Sequence, residues 1–334
     1  MEISYNDDAI ITIITALYNK NKDNWLETWA ESLAMQTFIN KMKIVVIDNV
    51  STDGSYEKMQ QVISKYHLPA KLYRNEKNIG MSGSGKKLLK MIDTKFWSVL
   101  DPDDYYLSPK KVEKAVKFLE SHEDYSAYAC NQVQEFSNGG GRKILYPIDL
   151  PSQTFYEMKG TPFFQAASTT FRNYFFDKNL LDTIIEEIGD CRCHPCCGDA
   201  FNLMLAFHMG NVFFENSPDS CWRVDVGEWG TLSQIEQNFM NMKGYYYFFE
   251  FYRKYWGIDE NAVHCLNLCW NFYNQVWDNL IVLGKSTTAH KFSFTSSAIM
   301  EDINTDAPDS HLNTIFEYLK TYSKFFSDLQ EGKL

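Results

Sequence analysis

The first hundred residues set the strongest constraint on the fold. Four short apolar runs, at residues 10–15, 43–47, 70–74 and 96–100, alternate with amphipathic stretches at 26–38, 56–66 and 86–92, and a fourth stretch opened by Ser108-Pro109 runs to about residue 121. The apolar runs are too short for helices and rich in β-branched or aromatic residues, so each reads as a buried strand. The intervening segments carry apolar residues at helical spacing, such as Leu26, Trp29, Leu33 and Phe38. Strand–helix alternation of this kind predicts an α/β fold with a mostly parallel, doubly wound, Rossmann-like sheet.

Beyond Asn138-Gly139-Gly140-Gly141, which reads as a turn, a helix is expected at 199–209, ended by Gly210, and a strand at 212–215. From about residue 233 the pattern becomes helical and aromatic, with Tyr245, Tyr252, Tyr255, Trp256, Trp270, Phe272, Tyr273 and Trp277 close together. The expected organisation is an α/β domain over 1–232 and a C-terminal helical appendage over 233–334, its aromatics mostly core.

In an open α/β sheet, ligands bind beyond the carboxyl ends of the strands. Polar residues gather there: Tyr18-Asn19 after the first strand, Asp48-Asn49 after the second, and Asp101-Pro102-Asp103-Asp104 after the fourth. Three carboxylates in four residues repel one another unless something positive joins them, and hard oxygen ligands suit Mg²⁺ or Mn²⁺ bridging a diphosphate. The competing reading is a turn and N-cap before the next helix, a part Asp104 could play alone.

The net charge of −11 argues against a general nucleic-acid partner. Lys86, Lys87, Lys90, Lys95, Lys110, Lys111, Lys114 and Lys117 read as solvated helix faces. No apolar run reaches the roughly 20 residues of a membrane span, and residues 1–8 lack the marks of a signal peptide. A cytoplasmic location follows as the expectation, with peripheral association at the inner face of the membrane and a homodimer both compatible with the sequence.

Taken together these segments resemble the family-2 glycosyltransferases of the GT-A fold. Ile-Ile-Thr-Ala-Leu-Tyr-Asn (13–19) is similar to that family's strand and PTYN opening, with Ala16 in the proline position. Residues 44–55, Ile-Val-Val-Ile-Asp-Asn-Val-Ser-Thr-Asp-Gly-Ser, resemble IVVDDGSTDGS, residues 78–82 resemble NxGxs, and residues 99–106 resemble FLDsDDxy. The resemblance is close over the first third, looser to about residue 233, and then fades.

It implies an inverting transfer from a nucleotide-sugar, taken as a UDP-sugar, to a hydroxyl of a carbohydrate or glycoconjugate acceptor in bacterial surface polysaccharide or glycoconjugate synthesis. Asp48 would read the base, Tyr18 would contact base or ribose, and Asn19 would line the same crevice. Asp101 would touch ribose and metal, and Asp103 would ligate Mn²⁺ or Mg²⁺. Gly198-Asp199-Ala200-Phe201 resembles EDxxL with Gly198 in place of Glu, making Asp199 the general base. Trp222-Arg223-Val224-Asp225 resembles YRxH, with Asp225 in the position of a metal-binding His. The glycines from Gly80 onward would let backbone approach the diphosphate, and Lys86 or Lys87 would stand in for an Arg absent at Gly85.

Residues 80–87 also match most of a P-loop, but Lys87 falls where Ser or Thr should hold Mg²⁺. The cysteines of residues 191–197 hold one C-x-x-C pair, Cys193 and Cys196, but not the paired spacing of a usual zinc site; they read as free thiols beside the acceptor site, with a structural zinc as the alternative. Two other functions stay open at this point: a sugar nucleotidyltransferase, and a non-catalytic protein that binds nucleotide-sugars or carbohydrates.

Overall fold

The computed structural model describes residues 8–136, 140–154, 165–177, 179–183, 198–224, 226, 232–258, 260–282 and 319–328. In the strand β2 (Met42–Asp48), second from one edge of the sheet, every residue is buried. A strand covered on both faces has no polar side to show, which is why its middle, Ile44–Ile47, is a continuous apolar run. β1 (Ile11–Leu17) lies parallel beside it, with β3 (Ala70–Arg74) on its other side and β4 (Phe96–Val99) parallel to β1. All four runs expected from the sequence are thus strands.

Helices α1 (Trp25–Ala34), α2 (Ser55–Lys65) and α4 (Lys111–Ser121) bury Leu26, Trp29, Leu33, Met59, Val62, Val112, Val116 and Leu119. These side chains join Ile11, Ile13, Met42, Ile44 and Val46 in one apolar cluster. α3 (Gly80–Lys90) packs against β1 and β2. It starts six residues before the expected point, because its three early glycines mask the helical pattern. A helix that begins at Gly80 leaves no loop to wrap a phosphate, so the P-loop match is a coincidence of sequence.

The second half of the sheet is where the sequence said least. β5 (Tyr105–Tyr106), β6 (Tyr125–Phe136), β7 (Gly141–Ile144), β8 (Gln153–Thr154), β9 (Thr169–Arg172) and β10 (Asn211–Arg223) complete ten strands among the described residues. The main path is β3-β2-β1-β4-β9-β6-β10-β5, with β9 antiparallel to both its neighbours and β10 parallel to β6. The strand expected at 212–215 is the start of a thirteen-residue strand whose later part carries Asn216, Pro218, Asp219 and Ser220. α5 (Gly198–Met209) precedes it.

The chain divides into two compact units, Met1–Thr231 and Leu232–Leu334. In the second unit, α6 (Gln234–Tyr255) opens with a reciprocal capping box between Ser233 and Glu236. α7 (Glu260–Val282) follows it. Their aromatics largely pack on one another: Tyr245 stacks on Phe272 with centroids 5.7 Å apart, and Trp270 meets Phe326 at 4.7 Å. Phe248, Tyr252, Tyr273 and Trp277 are buried. No helix among the described residues is long and apolar enough to cross a membrane.

Candidate functional site at the carboxyl ends of the strands

The register brings the polar strand ends to one level. Leu17 sits opposite Asp48, and Asp48 opposite Arg74, so β1, β2 and β3 finish together. Val99 lies beside Ile14, which lets Asp101 emerge near the end of β1. The loops after β1 and β2 then lock to each other. Ser51 Oγ accepts from the Asn19 N–H at 3.0 Å, Asn19 Oδ1 accepts from the Thr52 N–H at 2.9 Å, and Ser55 Oγ accepts from the Lys20 N–H at 2.6 Å. Asn49 stitches β2 to the start of α3, donating to Asn78 Oδ1 at 2.8 Å while its own Oδ1 accepts from the Ile79 N–H at 3.0 Å.

The acidic turn is the charged heart of the site. Asp103 is 7% exposed, and its Oδ2 accepts from Lys20 Nζ at 2.5 Å. Asp104 is a structural member: Oδ2 accepts from the buried Gln165 side chain at 2.5 Å and Oδ1 from the Arg223 N–H at 3.0 Å. The Arg223 guanidinium donates to the Asp103 carbonyl oxygen, pairs with Glu135 at 3.2 Å, and lies 4.7 Å from the Tyr105 ring centroid. Among the described residues no hydrogen bond reaches the Asp101 carboxylate. Burial first, then the charges of Asp199 and Asp103, push Asp101 up to about 7.

Asp199 stands in the first turn of α5, and its Oδ2 accepts from the Ala166 N–H at 3.1 Å. Burial raises it to about 6, against the pull of that hydrogen bond. Asp101, Asp103 and Asp199 therefore converge from two distant parts of the chain, with one ammonium, Lys20, among them. Among the described residues the site is short of positive charge. The open oxygens of Asp101 and Asp103 fit a hard divalent cation that takes its remaining ligands from phosphate and water. Among the described residues there is no ready-made group of three His, Cys, Asp or Glu ligands, and Asp225 lies outside the described residues, as do the cysteines of 191–197.

Other candidates have different surroundings. Tyr18 is 36% exposed at the rim. Asp48 is 0% exposed, and its carboxylate accepts from the Ser51 N–H and pairs with Arg74 Nε at 3.1 Å. It holds an arginine rather than facing open crevice. Gly80 begins α3 in the left-handed region at φ +73°. Lys86, half-buried in the second turn of α3, has no hydrogen bond or ion pair among the described residues, and Lys87 is turned to Asn75 Oδ1 at 2.8 Å. Sequence reasoning missed Lys20, Gln165 and Arg223. Only Arg223 carried a signal, as a neighbour of Asp225 in the 222–225 motif.

The fold is that of the GT-A class, an α/β sheet followed by a helical region. The sequence profile of glycosyl transferase family 2 matches residues 12–180, and the chain belongs to that family. An uncharacterised glycosyltransferase of Methanocaldococcus jannaschii is 30% identical over 35% of this chain and 40% of its own length. The amylovoran biosynthesis glycosyltransferase AmsE of Erwinia amylovora is 30% identical over 42% of this chain and 51% of its own. The chain thus spans roughly half or less of the length of these relatives. Among solved structures, S. aureus TarS in complex with UDP superposes with a TM-score of 0.57 at 16% identity, covering 96% of this chain and 91% of that one. The mannosyltransferase PcManGT of Pyrobaculum calidifontis, in complex with GDP-Man and Mn²⁺, gives 0.55 at 14%, covering 97% and 88%.

Proposed function

We propose that this chain transfers a sugar, with inversion, from a nucleotide-sugar to an acceptor hydroxyl, and that the donor is a UDP-sugar. The observation that carries the reading is the convergence of Asp101, Asp103 and Asp199 at the strand ends with too little positive charge to balance them. Relatives support it: TarS has been captured with UDP-GlcNAc, and AmsE is named for the synthesis of amylovoran. A role in bacterial surface polysaccharide or glycoconjugate synthesis follows for this chain.

Asp199 is the base. One oxygen is held by the Ala166 N–H, which fixes the carboxylate and leaves the other for a proton. With its pKa raised to about 6, it is ionised at neutral pH yet basic enough to accept a proton in the transition state. The acceptor oxygen attacks the anomeric carbon as its proton passes to Asp199, and the bond to the nucleoside diphosphate breaks on the opposite face. Mg²⁺ or Mn²⁺ held by Asp101 and Asp103, with Asp225 as a third candidate ligand, would supply charge neutralisation for the departing diphosphate. Arg223 keeps the acidic turn in shape by gripping its backbone. Tyr18 and Asn19 form the rim where the nucleoside would lie, and base reading by Asp48 requires Arg74 to turn outward first. Gly80 and Lys86 would face the diphosphate from α3.

A thermal-shift screen of nucleotide sugars with and without Mn²⁺ tests this, because a bound ligand stabilises by mass action. Wild-type protein should be stabilised by its donor in a Mn²⁺-dependent way, and Asp103→Asn should lose that dependence while remaining folded. Equal Mn²⁺-dependent stabilisation of both would remove Asp103 from the metal site.

A further inference from the structure

Lys20 is the one side-chain cation in ion-pair contact with the Asp101–Asp104 carboxylates among the described residues. Its Nζ lies 2.5 Å from Asp103 Oδ2, and its backbone N–H is fixed to Ser55 Oγ at 2.6 Å. The side chain is 21% exposed, and its ammonium sits 5.7 Å from the centroid of the buried Trp25 ring. Arg223, the other nearby cation, gives its guanidinium to the Asp103 carbonyl and to Glu135, leaving the Asp103 carboxylate to lysine.

An ammonium and a divalent cation need the same oxygen lone pairs. They also repel each other strongly at contact distance, more so where water is scarce. A divalent cation drawing on the Asp103 carboxylate therefore competes with Lys20 for it. Resting on the metal reading above, we infer that Lys20 is an internal counter-ion that holds the metal seat in the free protein and must be displaced when a divalent cation enters. The lysine offsets part of the acidic turn's charge in the absence of cation and so weakens binding of metal alone. A cation arriving with a diphosphate brings extra ligands and outcompetes it.

The test is Mn²⁺ binding by the full chain without nucleotide, read by electron paramagnetic resonance of free Mn²⁺ at fixed pH and ionic strength. Lys20→Met should bind Mn²⁺ about tenfold more tightly than wild type, the low end of what a charge-assisted hydrogen bond carries. Lys20→Gln gives a second uncharged variant and should shift in the same direction. Lys20→Arg should stay near wild type. Lys22→Met removes the same charge from an exposed neighbour lying 5.2 Å from the Trp25 ring centroid, and should leave affinity unchanged. Folded Lys20→Met and Lys20→Gln proteins with unchanged or weaker Mn²⁺ affinity would overturn the inference and leave the metal reading standing. Absence of Mn²⁺ binding in wild type and variants, even with UDP added, would overturn both.

Discussion

Lys111 is fully buried and has no carboxylate within ion-pair distance among the described residues. Its Nζ donates to Thr170 Oγ1 at 3.2 Å and to Ser98 Oγ at 3.5 Å, and lies 4.5 Å from the Tyr106 ring centroid. The sequence reading assigned it to a solvated helix face with its neighbours, and for Lys117 that holds, since it is exposed and paired with Glu113. Nothing in helical spacing marks which lysine of such a run turns inward. Burial lowers Lys111 to about 8, although the nearby Cys130 and Asp219 oppose the shift. A lysine depressed in the folded state favours unfolding wherever the unfolded chain holds more protons. Its contribution to stability is therefore fully present only above the unfolded value near 10.4 and is lost as pH falls through about 8. Lys111→Met should accordingly melt higher than wild type at pH 7, by the equivalent of about 1–4 kcal/mol. The gap should narrow as pH rises toward 10. A variant that melts lower across this range would show that the ammonium stabilises the fold.

At the scale of elements, legibility followed burial. The strands β1, β2 and β4 of the first half are mostly apolar and almost fully buried, and they could be read directly. β6 and β10 could not, because their buried positions include polar side chains. Asn131 and Gln132 are 0% exposed and bonded internally, Asn131 donating to the Tyr146 carbonyl and to Asn216, and Gln132 donating through Nε2 to Gln165. Such positions break the apolar run without breaking the strand. The loop after β2 shows the opposite case, a local rule broken at the site. Val50 adopts φ +64°, a left-handed conformation costly for a β-branched residue. Its position corresponds to the glycine of the family motif. Val50→Gly relieves that strain, which should offset the added entropy of the unfolded chain. We expect melting within about 1 kcal/mol of wild type or above it. A loss of several degrees, with donor binding intact, would mean that Val50 packing outweighs its backbone strain.

For the whole molecule, the family was legible because four motifs at successive strand ends line one crevice. What the sequence did not disclose is how that crevice is held together: Lys20 across from Asp103, Gln165 and Arg223 on Asp104, Arg74 on Asp48. These partners lie between 26 and 119 positions apart and exist only once the sheet has formed. Asp199 belongs to the same group of long-range arrivals, meeting Ala166 and sharing charge with Asp101. The measurement that bears most directly on its role is a paired assay of Asp199→Asn: release of nucleoside diphosphate from the donor that stabilises the protein, and affinity for UDP. General bases contribute about 10²–10⁴-fold, and asparagine keeps the size of the side chain while abolishing its basicity. The expected result is unchanged UDP affinity, near-normal melting, and transfer reduced by at least about a hundredfold. Transfer at the wild-type rate in a folded Asp199→Asn protein would contradict it.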